Sequence, residues 1–175
     1  MKGSASRWQI GGFLFTAVLG TGLHFLFDLT GGSVLAALFS AVNESIWEHL
    51  KLLFYPMLIF SLYQYRKWGR DRQDFWCVKL RGTLWGLVLI PVLYYSYTGI
   101  LGVEADWFNI TIFFLAAGFV YRWETRQFQK GLACPRPSLA VTGFVIIALL
   151  FTLLTFRPPH IPLFQDPLTG TYGFQ

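Results

Sequence analysis

The chain has 175 residues, 54% of them hydrophobic and 19% aromatic, and only 13% charged. A water-soluble domain carries about a quarter charged residues, so this balance excludes an ordinary soluble globule and a disordered chain and points to lipid as the solvent. The formal net charge of +5 does not indicate nucleic acid, because the cations flank apolar runs, where they set membrane orientation.

Residues 8–29 predict a first transmembrane helix, since about 20 apolar residues cross a bilayer core. It carries no small-residue cleavage site and reads as a retained helix rather than a signal peptide. Thr16, Ala17, Gly20, Thr21, His24 and Asp28 form a small and polar stripe on it, a face suited to close packing against another helix. Gly31-Gly32 ends this segment. The apolar run 33–42 is too short to cross and predicts a re-entrant or interfacial helix.

The second span is placed at 45–65. Ser45 and Glu48 have capping-box spacing, with Asn43 as an alternative N-cap, and Pro56 predicts a kink. Spans at 82–101, 107–121 and 139–156 follow, the first of them ending in the aromatic cluster Tyr94-Tyr95-Ser96-Tyr97, a headgroup-level signal. The predicted architecture is all-α: a single membrane domain of about five transmembrane helices with a Pro/Gly-rich tail at 157–175. Phe164, Leu168 and Tyr172 give that tail apolar anchors that disordered segments lack. It is expected to fold over the mouth of the bundle, carrying His160 and Asp166 towards the second span.

Of the fourteen Lys and Arg residues, all but Lys51 and Arg157 fall at the amino terminus or in the regions 66–81 and 122–138, twelve against two. The positive-inside rule then places the amino terminus in the cytoplasm and the carboxyl terminus outside a cell membrane. Cys77 and Cys134 lack metal-site spacing and lie on the cytoplasmic side, where they are expected as free thiols. His24, His49 and His160 all fall on the outer side.

The chemistry-bearing stretch is Asn43-Glu44-Ser45-Ile46-Trp47-Glu48-His49-Leu50-Lys51, which opens directly into an apolar run. Ionisable groups at the mouth of a membrane helix are expensive and mark functional sites. Helical spacing puts Glu44, Glu48, Lys51 and Tyr55 on one stripe. The plain alternative is a cap and an exposed Glu48–Lys51 pair worth a few tenths of a kcal/mol. His49 points about 100° away from Glu48. His24 and Asp28, one turn apart, could share a proton or a metal.

The catalytic candidates are therefore Glu44, Glu48, His49 and Lys51. The candidate metal ligands are His24, Asp28, His49 and His160, and the candidate binding residues are Asn43, Trp47, Tyr55 and Asp166. Such ligands suit a zinc ion with an open water position, although no His-Glu-x-x-His or Cys-x-x-Cys motif is present. One reading is a hydrolase acting on a lipid or lipid-linked substrate at the outer leaflet. The alternatives are a solute or proton-coupled transporter, an accessory subunit, or a structural binding protein. The bilayer is the expected partner, with a lipid or small molecule at the outer face and no nucleic acid.

The nonapeptide, with His24-Phe25 before it and Tyr55-Pro56 after it, resembles an uncharacterised bacterial family of small multi-pass integral membrane proteins with an N-E-S-x-W-E-H-x-K signature. The segment Pro162-Leu163-Phe164-Gln165-Asp166-Pro167 also looks familial. The resemblance implies a membrane fold and strengthens the location of the site, and it brings no activity with it.

Overall fold

The computed structural model describes residues 2–131 and 133–174. Six α-helices follow in order: α1 Lys2–Leu29, α2 Val34–Ala37, α3 Ile46–Gln64, α4 Phe75–Leu101, α5 Asp106–Lys130 and α6 Pro137–Phe156. The fold is all-α. Three segments are long and apolar enough to cross a membrane: Ser4–Leu29, Phe75–Leu101 and Pro137–Phe156. The region expected as a short helix over 33–42 is a single turn, α2, which Gly31 and Gly32 set off from α1 by adopting positive φ.

Polarity is inverted relative to a soluble domain. Glu48, Lys51, Gln9, Gln64, Lys79 and Glu124 are fully buried, while Val18, Ile100 and Leu149 are exposed. An apolar outside of this extent is untenable in water and natural in lipid. α5 packs against α1 and α4, α3 against α1 and α4, and α6 covers α4 and α3.

Two sequence expectations are corrected here. α4 begins seven residues before the predicted position and α5 runs nine residues beyond it. Lys79, Arg81, Arg122 and Glu124 are consequently helical, not loop residues. They continue the helices because Lys79 and Glu124 face each other between α4 and α5, forming an ion pair at 2.7 Å. The second correction concerns the cysteines, which are not free: Cys77 and Cys134 form a disulfide with Cα atoms 5.8 Å apart. The chain returning from α5 to α6 brings Cys134 back onto the start of α4, a proximity that spacing alone does not reveal. The bridge lies at the cation-rich end of the bundle, so it opposes the charge signal that assigns this end to a reducing compartment.

The α1 face that packs inward is Ala5, Gln9, Gly12, Thr16, Gly20 and Leu23. The expected polar stripe is thus partly correct. Thr16 hydrogen-bonds Tyr121 at 2.7 Å across to α5, whereas Thr21 and Asp28 are exposed. Gly20 decides how closely α1 approaches α3, since a Cβ there would lie 2.6 Å from the carbonyl oxygen of Leu52. Pro56, inside α3, has no N–H to donate to that carbonyl, its i−4 partner. The freed oxygen lies against Gly20, where no Cβ obstructs it.

Gly20→Ala should lower unfolding free energy by about 1–3 kcal/mol. Gly22→Ala, with nothing within 4 Å, should instead raise it by about 0.4–1 kcal/mol. Thermal unfolding in detergent measures both.

Candidate functional site

α3 starts where its first turn can be capped. The Ser45 hydroxyl accepts from the Glu48 amide at 3.4 Å, and the Asn43 side-chain oxygen accepts from the Ser45 amide at 3.0 Å. The Asn43 amide also donates to the Gly173 carbonyl at 3.2 Å, tying the tail to the helix start. The capping box is only half formed, because the Glu48 side chain does not return to Ser45. It turns inward, accepting from the Val42 amide at 3.2 Å.

Lys51 is the reason. Its ammonium lies 2.5 Å from Glu48 Oε2 and donates to the Ala37 carbonyl at 2.8 Å and to Thr155 Oγ1 at 3.0 Å. The Thr155 hydroxyl in turn donates to Glu48 Oε1 at 2.8 Å. An ammonium has three donors, and all three are placed. The two side chains are 1% and 0% exposed, so the alternative of an exposed, weak ion pair does not hold. Tyr55, on the same stripe, is buried among Phe39, Phe54 and Phe151. Glu44 precedes the helix and leaves the stripe altogether.

His49 points the other way, towards α1. Its Nε2 lies 3.3 Å from His24 Nε2 and 3.3 Å from Glu44 Oε2, and His24 Nε2 is 3.9 Å from the same oxygen. These three side chains are 26%, 35% and 42% exposed for His49, His24 and Glu44, and they form a group able to offer one ligand atom each to a single ion. His49 Nδ1 is 2.9 Å from the Ser45 carbonyl, which only an Nδ1–H can satisfy. In neutral His49 the Nε2 lone pair then faces both His24 and Glu44. A proton on His24 Nε2 can serve one contact, yet the lone pair still meets the carboxylate. The trio therefore calls for a cation at its centre, either a second proton or a metal. The Glu44 carboxyl is held below the ordinary carboxylate range, chiefly by the hydrogen bond from His49 against the opposing effect of desolvation.

The spacing tests the metal. Zinc bonds of about 2.0–2.1 Å in a tetrahedron separate neighbouring donors by about 3.3–3.4 Å. Two of the three separations have that value and the third is half an ångström longer. The carbonyl behind His49 fixes ring orientation as outer partners of metal-bound imidazoles do.

The other candidates lie elsewhere. Asp28 is exposed and outside the trio. The tail does fold back, with the Phe174 amide donating to the Thr155 carbonyl at 2.8 Å, but His160 is exposed and stacks on Tyr172 at 4.6 Å. Asp166 caps its own turn, accepting from the Leu168 and Thr169 amides. Trp47 packs between Phe151 and Phe164, 4.8 and 4.7 Å between centroids, and so anchors the tail. Sequence reasoning missed Thr155, one of several hydroxyl residues on an apolar helix with no pattern to single it out. It also missed the Lys79–Glu124 pair, because Lys79 was counted only as a topogenic cation. The small residues Gly82 and Gly86 beside Lys79 were its available signal.

The sequence model of the family of unknown function DUF6512 matches residues 1–174. The chain belongs to that family. No curated protein and no solved structure gives a significant match. What can be said of this DUF6512 member's chemistry rests on its own residues.

Breaking a buried pair strands a charge, which costs about 3–5 kcal/mol. Glu48→Met and Lys51→Met should each destabilise by that amount, and the double variant should recover most of the loss in a double-mutant cycle. Additive losses would contradict the closed network.

Proposed function

We propose that this protein is a multi-pass membrane protein that holds a divalent transition metal, zinc foremost, through His24, Glu44 and His49. The metal would serve hydrolysis of a lipid or lipid-linked substrate at the outer leaflet. The observation that carries the reading is the convergence of two imidazole nitrogens and one carboxylate oxygen, partly open to solvent, at spacings that fit one ion. Three helices long and apolar enough to cross a bilayer, the positive-inside charge distribution and the inverted polarity support the membrane placement.

A zinc ion with three protein ligands keeps a position for water, lowers its pKa and polarises a carbonyl or phosphoryl oxygen. Ser45 orients His49, and Glu44 supplies the negative charge that favours a cation. Glu48 and Lys51, sealed from solvent and saturated by Val42, Ala37 and Thr155, act here as positioning residues that fix the start of α3. A groove of about 180 Å³, walled by Ile46, Tyr94, Tyr95, Pro162, Gln165 and Pro167, lies at the same end of the bundle. Ile46 is one turn from His49, and the mixed aromatic and proline lining suits an acyl chain or isoprenoid at headgroup depth. Transport is less well supported. Leu53, Phe54 and Met57 fill the core below Lys51 with apolar atoms.

Purified protein loaded with zinc and desalted should retain about one ion per chain. His24→Ala and His49→Ala should each weaken binding by at least 100-fold, and Glu44→Gln by about 10–100-fold, as expected for lost ligands. Asp28→Asn and His160→Ala should bind as wild type. Chelation should abolish release of the headgroup or acyl product from a labelled lipid. Retention of no metal by the wild-type protein would remove the proposal.

A further inference from the structure

Seven buried side-chain atoms among the described residues have no protein hydrogen-bond partner, and six of them belong to four residues: both polar atoms of Gln9, both of Gln64, the hydroxyl of Thr83 and Oε1 of Glu124. These residues come from α1, α3, α4 and α5, and each is at most 2% exposed. All lie at the cation-rich end, far along the chain from the histidine trio.

Helical spacing and the contacts of their neighbours set all four near one ion pair. Lys79 pairs with Glu124 Oε2, while Glu124 Oε1 is held against Gly82, where a Cβ would lie 2.6 Å away. Thr83 is one turn along from Lys79. The Lys79 ammonium stands 5.1 Å from the ring centre of Tyr121 and 6.0 Å from that of Phe60, and Gln64 is one turn beyond Phe60. On α1, Gly12 meets those same two rings, and Ala5 packs in the cluster of Phe75, Val78 and Phe128. Gln9 lies between Gly12 and Ala5 on that face.

Buried amides, hydroxyls and carboxylates are almost always paired, and hydrocarbon offers them nothing. Six orphaned atoms scattered over a protein would be six separate faults. Six atoms from four helices around one ion pair have a common cause. We infer that the cation-rich end of the bundle contains a buried hydrophilic chamber that binds ordered water, bounded by Gln9, Gln64, Thr83, Lys79 and Glu124. Internal waters make about three hydrogen bonds each, so six atoms provide for about two of them. The amides can donate to and accept from such water, Thr83 can do either, and Glu124 gains acceptance at its second oxygen. That completes the solvation of a charged pair buried between helices. The inference is independent of the proposed metal site.

Full-length protein in detergent tests it in two ways. Gln9→Leu, Gln64→Leu and Thr83→Val remove polar atoms at little change of shape. In a water-filled chamber each deletes a water's partner and should lower Tm by about 2–4 °C. In a dry one each relieves an unpaired group and should raise it. Radiolytic hydroxyl labelling of the wild type in ¹⁸O water needs no variant. Tyr121, 3% exposed, should be labelled from within, while Met57, 0% exposed and intrinsically more reactive, should not. A rise in Tm in the three variants, an unlabelled Tyr121, or equal labelling of Met57 would overturn the inference.

Discussion

The buried ion pair between Glu48 and Lys51 is the interaction on which the histidine end of the molecule depends. Taking two charges out of water is favourable only if their remaining lone pairs and protons find partners. Here those partners come from four places: the Val42 amide, the Ala37 carbonyl of α2, the Thr155 hydroxyl of α6 and the pair itself. Satisfying one charge pair thus fixes the short connection after α1, the start of α3 and the end of α6 relative to one another. Thr155 extends the constraint to the tail through its carbonyl, which receives the Phe174 amide. With Glu48 and Lys51 committed inward, the helical period leaves His49 facing α1. The close approach that Gly20 permits brings His24 to meet it.

The two ends of the bundle solve the same problem differently. At the histidine end the charged pair is saturated by protein groups alone, and the neighbouring trio is left partly open. At the other end the Lys79–Glu124 pair is buried, and amide and hydroxyl groups on the neighbouring helices have no protein partner among the described residues. Between them the core is Leu53, Phe54, Met57, Ala116 and Ala117. A polar group in lipid must be paired, hydrated or functional, and the sealed Glu48–Lys51 pair is an instance of the first.

Much of this was legible in the residues. Composition and the apolar runs gave the helices, and the nonapeptide located the start of α3. The 100° step from Glu48 predicted that His49 serves a different neighbour, which is what separates the sealed pair from the open trio. The rest depended on information a single chain does not display. Asp28 has the right spacing from His24, yet it points away, because α1 turns its Gly20 face and not its Asp28 face to α3. His160 and Asp166 have suitable chemistry, but the tail is anchored by Trp47 and Asn43, which have no periodicity to announce them. The Cys77–Cys134 bridge and the Lys79–Glu124 pair join positions 57 and 45 residues apart. Helix ends placed at the first basic residue concealed both.

The proposed metal-binding site joins His24, Glu44 and His49. Cobalt(II) substitution reads it most directly, through the ligand-field absorption of a four-coordinate ion with two imidazoles and a carboxylate. Intense visible bands should appear at one equivalent of cobalt, be displaced by zinc, and vanish in His24→Ala and His49→Ala while persisting in His160→Ala. Bands that are absent from the wild type, or that survive loss of both histidines, would contradict it.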